Sequence, residues 1–408
     1  MEINLIAETC SAQSNSEMLK NCELTKKEMF EDMCGKYAGV CYMKSTYENL
    51  NNENREKTIA RVNQTKNNGH HSVYDHVFVT LELENVSKAL AMTLNNLGWY
   101  NTSEKSGRYT QLALSGEKQK IYDKWVEIFK TKIKETYAEK FPNFFTDNKC
   151  LKLAQENARY LNSVYEQNVI MVHTVSYRQL NYIHGYMQHE IEKPKHSKFF
   201  EKLIPEMKMF CEKLELLPYF DKTLSDHGKK MASFGVSGLN LINNGSKAET
   251  HFGPSVYSTS YKGSFAEFAQ AERHRTIDYS IDDLPDVREY YIPPIIRSDE
   301  KLVKQWLTDI KKNEENVPIG TMVIINEFGT LNHFLLKLYE RKCTNAQLEI
   351  DNQTNETLNK YYKALKDQKS EMAQVLEKYL KGSRCTFPNY VCSAPCGFAD
   401  GIKGTRLI

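Results

Sequence analysis

Three short clusters concentrate the side chains able to do chemistry. The first, Gly69-His70-His71-Ser72-Val73-Tyr74-Asp75-His76, gathers imidazoles, a hydroxyl and a carboxylate, a set that can hydrogen-bond a polar ligand or receive a metal. No thiol or second carboxylate stands beside it, so a polar ligand suits it better than a metal, and a surface turn capped by Ser72 and Asp75 would use the same residues. The second, Glu104-Lys105-Ser106-Gly107-Arg108-Tyr109, offers backbone N–H groups at a glycine, a hydroxyl and a guanidinium fork. That is phosphate-reading chemistry, though a Ser-Gly turn between solvated charges has the same composition. The third, Gln270-Ala271-Glu272-Arg273-His274-Arg275, closes an amphipathic helix. The helix dipole alone favours cations there, but it does not explain an Arg-His-Arg triplet beside a glutamine.

The elements that must position these clusters are partly legible. A charged stretch from Asn54 to Asn68, closed by Gly69, predicts a helix. Val77, Val79, Leu81 and Leu83 alternate with Phe78, Thr80, Glu82 and Glu84, the period-two pattern of a half-buried strand. Val86, Leu90, Leu94 and Leu97 return to helical spacing. Amphipathic stretches at about 117–140, 151–190 and 195–215 predict long helices, and a run of breakers at 216–250 predicts a boundary. Beyond it the pattern predicts a helix through Phe265 to Arg275, a Pro/Asp-rich loop at 282–297, helical segments at 299–313 and 320–342, and a polar helix at 350–382.

The chain has 408 residues, room for two or three domains at about 150 residues each. Its 54 basic and 52 acidic residues leave a net charge of +2, so no global field draws it to polymeric nucleic acid. No apolar run reaches the ~20 residues needed to span a bilayer, and Met1-Glu2-Ile3-Asn4 does not read as a signal peptide, so a cytoplasmic location is expected. The cysteines, Cys10, Cys22, Cys34, Cys41, Cys150 and Cys211 among them, are scattered and are expected to be reduced thiols. No zinc motif, Walker A loop or G-x-G-x-x-G turn is present, so any nucleotide is held without the familiar glycine-rich cradles. Asn67-Asn68-Gly69 with His76 downstream is echoed by Asn243-Asn244-Gly245 with His251 downstream, which hints at a duplicated unit.

Read together, the clusters resemble the flavin-dependent thymidylate synthases of the ThyX type, whose signature R-H-R-x-x-S-x-N-E-x-S-x-R-Y follows a G-H-x-S/T-x-x-E/D-H turn. The first half of the chain matches the turn at 69–76 and the end of the signature at Glu104, Ser106, Gly107, Arg108 and Tyr109, with Asn96, Leu97 and Gly98 where R-H-R would stand. The second half matches the beginning at Gln270, Arg273, His274 and Arg275, while the end is replaced by Ile281, Asp283 and Pro285. Ala158-Arg159 resembles the Ala-Arg that opens the family's long helix, and the run from Arg341 to Ile350 resembles its R-x-x-S-H-A-Q-W-E-I segment. Pro318 sits at the matching distance upstream. The family's Asn-x-Arg pair has only Val175/Tyr177 and Thr330/Asn332 as its nearest counterparts.

The resemblance implies an α+β fold of two tandem ThyX-like domains, each a small antiparallel sheet packed with long helices. The copies would span 1–225 and 226–382, followed by a tail at 383–408. The tail holds Cys385, Cys392 and Cys396, which could join a zinc site if a fourth ligand came from elsewhere; a loosely ordered tail with free thiols is the expectation, with no metal assigned. The implied activity is reductive methylation of dUMP to dTMP, with FAD as cofactor and NADPH and methylenetetrahydrofolate as co-substrates. The complementary losses imply one hybrid site between the halves of a homodimer that mimics the family's tetramer. There Arg108 and Arg159 would hold the dUMP phosphate with Ser106 and the Gly107 N–H, while Glu104, Gln270 and Arg341 would meet sugar or base as the catalytic set. His70, Ser72, Asp75, Arg273, His274 and Arg275 would face the flavin. Hydroxymethylation of a pyrimidine nucleotide is the alternative chemistry, and a catalytically silent nucleotide-binding scaffold the alternative from another class.

Overall fold

The structure, a computed structural model, describes every residue except 12–23, 43–45, 99, 109, 111–113, 115, 236, 243–255, 394–395 and 397–405. Tyr109, Asn243-Asn244-Gly245 and His251 thus lie outside the described residues. The chain forms two compact units: Met1–Val86 with Thr93–Glu104 and Val169–Asn240, and Ser87–Met92 with Lys105–Asn168 and Leu241–Ile408. Segments from both halves of the sequence therefore meet in the second unit.

The first unit carries an antiparallel sheet of β1 (Glu2–Glu8), β2 (Phe78–Ser87), β3 (Asn101–Glu104) and β4 (Gln167–Ser176), in the order β1-β2-β4-β3. Val79, Leu81 and Leu83 are buried while the residues between them are not, as the alternation in the sequence requires. The helices Tyr177–Glu192 and Lys222–Ser233 meet backbone to backbone through a glycine on each. A Cβ on Gly185 would overlap the Ser225 carbonyl oxygen, and one on Gly228 would lie 2.8 Å from the Tyr182 Cα. Phe30, Tyr74, Tyr177 and Tyr219 fill the core beside them, with Phe30 and Tyr219 rings 4.7 Å apart. Asp221 lies at this core's edge; burial works against its charge, but Lys66 at 2.6 Å and Lys27 at 3.0 Å hold the carboxyl well below the usual range.

The second unit carries a sheet of β5 (Val256–Ser264), β6 (Asp278–Ile281) and β7 (Met322–Thr330), in the order β5-β7-β6 and antiparallel throughout. The helix Gly116–Ile133 buries Tyr122, Trp125, Val126, Phe129 and Ile133 along one stripe. Trp125 meets Trp306 edge to face at 4.8 Å and donates its indole N–H to Asp309 at 2.9 Å. A second cluster joins Tyr257, Phe334, Leu358 and Tyr361. At its base lies a fully buried ion pair, Lys337 to Glu327 at 2.6 Å, with Tyr257 also donating to Glu327 at 2.5 Å. The end of the chain returns to this unit, where Arg406 pairs with Asp351 at 2.7 Å and the Leu407 N–H reaches the Tyr137 hydroxyl at 2.8 Å. The end of the tail is thus anchored to this unit.

The two sheets share one plan. Strand, helix, four-residue strand, long connection, central strand and helix run through β2, Lys88–Asn95, β3, β4 and Tyr177–Glu192, and again through β5, Phe265–Ala271, β6, β7 and Leu331–Arg341. At each passage from strand to helix a hydroxyl caps the helix: Ser87 accepts from Leu90 N–H, Ser176 from Gln179, Ser264 from Glu267 and Thr330 from His333. These junctions explain where the sequence reading fails. The stretches expected to be helical at 151–190 and 320–342 each contain a central strand, β4 and β7, because a single capping residue replaces any loop and leaves no Gly/Pro signal. The run of breakers at 216–250 likewise contains the helix Lys222–Ser233.

Candidate functional site

In the second unit, residues from distant parts of the sequence converge on one buried polar node. The backbone at 160–164 is hydrogen-bonded to 317–320: Ile319 N–H donates to Asn162 O at 2.6 Å, Gly320 N–H to Tyr160 O at 2.8 Å and Val164 N–H to Val317 O at 3.0 Å. Val317 takes a left-handed conformation, φ 51°, although it is β-branched and buried, so the surrounding contacts hold this junction against its own preference. The junction sets Arg159, at the end of the helix Asp147–Ala158, beside Gln347 at the start of the helix Leu348–Asp367. Gln347 Oε1 accepts from Arg159 and from Gln270 Nε2. Its Nε2 donates to Tyr160 Oη, which in turn donates to Glu349 at 2.8 Å. Glu349 also accepts from the backbone N–H of Ser264 at 2.9 Å and its hydroxyl at 2.7 Å, tying the node to the N-cap of the helix Phe265–Ala271, which carries Gln270.

A cationic face adjoins that node. Arg341 donates to His274 Nε2 at 2.7 Å and to the Gln270 carbonyl at 3.1 Å. Arg108 pairs with Glu156 and donates to the Asn345 carbonyl at 2.7 Å. Burial lowers the Arg341 guanidinium below its usual value, and the fields of Arg108 and Arg273 push it the same way; burial does likewise to Arg159. His274 is buried, and burial, reinforced by Arg341 and Lys337, pushes its imidazole down to about 2. It is therefore neutral and accepts from Arg341, with its other nitrogen 3.4 Å from Glu340. Guanidinium groups crowded together in a poorly hydrated site suit an anion with several acceptor oxygens.

Among the sequence-derived residues, Ser106, Gly107, Arg108, Arg159, Gln270, Arg273, His274, Arg275 and Arg341 all lie in this second unit. Ser106 Oγ accepts from the Arg108 N–H at 3.3 Å, Arg273 is half-buried and Arg275 exposed, and the triplet follows the helix end rather than forming its last turn. His70, Ser72, Asp75 and Glu104 lie in the first unit. There His70 and Ser72 are exposed, and Asp75 accepts from Ser176 at 2.6 Å and pairs with Arg178 at 2.5 Å. Glu104 ends β3 opposite Met171, and Asn95 reaches its carboxylate at 3.5 Å. The buried imidazole of the turn is His71, between the Tyr182 hydroxyl at 2.7 Å and the Lys66 carbonyl at 2.8 Å. The sequence reading passed over Gln347, Tyr160, Glu349 and Glu156. The signal available for Gln347 was its place in the run 341–350, six residues after Arg341.

Fold and node together define an α+β protein with a buried arginine- and glutamine-lined site. Residues 23–207 match the family described as thymidylate synthase complementing protein, the ThyX-type thymidylate synthases. Arg108 and Arg159 fall inside the matched segment, and 270–275 and 341 beyond it. Among solved structures, thymidylate synthase X from Helicobacter pylori with FAD and dUMP is similar at 14% identity, covering 56% of this chain and 100% of its own, with a TM-score of 0.33. A UMP/dUMP methylase from Streptomyces cacaoi bound to 5-Br dUMP is similar at 13% identity, covering 56% and 96%, with a TM-score of 0.32. No curated protein matches the chain. No helix among the described residues is long and apolar enough to cross a membrane.

Proposed function

We propose that this chain catalyses the reductive methylation of dUMP to dTMP, using FAD, NADPH and methylenetetrahydrofolate, and that the nucleotide sits at the node where Arg108, Arg159, Gln270 and Arg341 converge. The carrying observation is that these residues, 341 − 108 = 233 positions apart at the extremes, are joined through Gln347, Asn345 and His274 within one compact unit. The family relationship supports the reaction class. On this reading Arg108 and Arg159, with Ser106 and the Gly107 N–H, bind the phosphate dianion, whose charge offsets the repulsion among the guanidinium groups. Gln270 and Arg341 orient the base. The exposed and half-buried arginines flanking neutral His274 form a donor set suited to a dinucleotide diphosphate, so Arg273, His274 and Arg275 are assigned to FAD. When bound, the flavin supplies the redox chemistry, while the protein orients it and supplies charge.

The shared plan of the two sheets supports reading the chain as two diverged copies, with a homodimer replacing a tetramer of single copies. The test is direct. Protein reconstituted with FAD and supplied with dUMP, methylenetetrahydrofolate and NADPH should yield dTMP by mass spectrometry. Absence of both flavin binding and product overturns the proposal.

A further inference from the structure

Hydrogen-bond polarity through the node is fixed at one end. A guanidinium carries only donors, so the atom of Gln347 that meets Arg159 must be the carbonyl oxygen, Oε1. The same oxygen faces Gln270, so Gln270 must present its NH2 group to it. On the other side, Gln347 Nε2 donates to Tyr160 Oη, whose own proton goes to the Glu349 carboxylate at 2.8 Å, so every member of the chain agrees in direction. The amide of Gln270 is thereby held in one of its two orientations. Its Oε1 is buried and meets no donor among the described residues. A buried acceptor of this kind costs free energy until a donor reaches it.

From this we infer that Gln347 is a positioning residue that sets base specificity: by holding Gln270 with its Oε1 as the available atom, it makes the site select a pyrimidine presenting an N–H there. Uracil carries a ring N–H at the position where cytosine carries a lone pair, so uracil nucleotides are accepted and cytosine nucleotides rejected. The inference rests on the nucleotide assignment above and adds to it the residue that enforces the choice. With Gln347 replaced by a side chain that cannot accept, Gln270 is free to turn over and offer its NH2 group to cytosine instead.

The test is equilibrium binding of dUMP and dCMP to the full-length, FAD-loaded protein, with thermal melting of each variant in parallel. Wild type should prefer dUMP. Gln347→Met should narrow that preference by about ten- to hundredfold, chiefly by gaining affinity for dCMP. Gln347→Asn, too short to reach both partners, should narrow it too and carries the test if the methionine variant fails to fold. Gln347→Glu keeps an acceptor for Arg159 and Gln270 and should retain the preference. Tyr160→Phe disturbs the same core without touching that acceptor and should leave the ratio unchanged, which a merely structural role for the node would not predict. A folded Met or Asn variant with the wild-type ratio, or a wild type that binds both nucleotides equally, overturns the inference. A wild type that binds neither nucleotide overturns the assignment of the site itself.

Discussion

The strand-helix-strand segments of the two sheets close their first helix with turns of different chemistry. After Lys88–Asn95 comes Asn96-Leu97-Gly98, where the Gly98 carbonyl accepts from Gln179 at 2.5 Å. The turn lines a cleft of about 340 Å³ with Arg178, Tyr182 and Tyr186. Arg178, its cation, is answered by Asp75 at 2.5 Å. After Phe265–Ala271 comes Glu272-Arg273-His274-Arg275, where Arg341 braces the imidazole and the node at Gln347 adjoins. The strand order and capping hydroxyls correspond in the two, so backbone plan alone does not set the chemistry of the turn. The two differ in side-chain identity at a few turn positions and in Arg341 at the end of the following helix in the second.

The contrast is broken most sharply by substitution at the turns. Arg108→Ala should lower dTMP formation by about a thousandfold or more, because a phosphate ligand loses a bidentate, poorly solvated partner. Asn96→Ala, in the cleft beside the other turn, should change turnover by less than about threefold. Comparable losses in steady-state assays of both variants would erase the distinction between the two turns.

Stability offers the next test. Lys337→Met removes the cation paired with the fully buried Glu327, and should cost about 3–5 kcal/mol in denaturant unfolding. Lys66→Met in the first unit should cost less, about 1–2 kcal/mol, since Asp221 keeps Lys27 at 3.0 Å. Equal costs would mean that the second lysine does not compensate.

A smaller effect is the pH dependence from His274. Burial, with Arg341 and Lys337, pushes its imidazole down to about 2, while in the unfolded chain it titrates near about 6.5. Below that pH the unfolded state binds a proton that the folded state refuses. Stability present above about pH 6.5 is therefore lost progressively as the pH falls toward the folded value. His274→Gln should flatten this decline by at most about 1.4 kcal/mol per pH unit between about pH 6 and 4.5, measured by urea unfolding. An unchanged slope would contradict a neutral buried imidazole. The smallest effect expected is Ser87→Ala, which removes one helix cap at a cost of about 1 kcal/mol.

Much of this was readable from residue order, and what was not has a physical cause. The helix Arg55–Asn67 and β2 follow from charge, closing glycine and alternation. β4 and β7 were read as helix because Ser176 and Thr330 join strand to helix without a loop, so the change of period falls inside one apolar run. At the site, the charged residues declare themselves through side-chain chemistry. Gln347, a neutral amide, shows only through its place in the run 341–350, and its role emerges where Arg159 and Gln270 are brought to the same oxygen.

The central claim is that the nucleotide lies in the unit carrying Arg108, Arg159, Gln270 and Arg341, and the most direct measurement is photocrosslinking of 5-iodo-dUMP followed by peptide mass spectrometry. The account predicts label on peptides spanning 270–275 or 341–349. Label confined to peptides spanning 96–98 or 178–186 would contradict it.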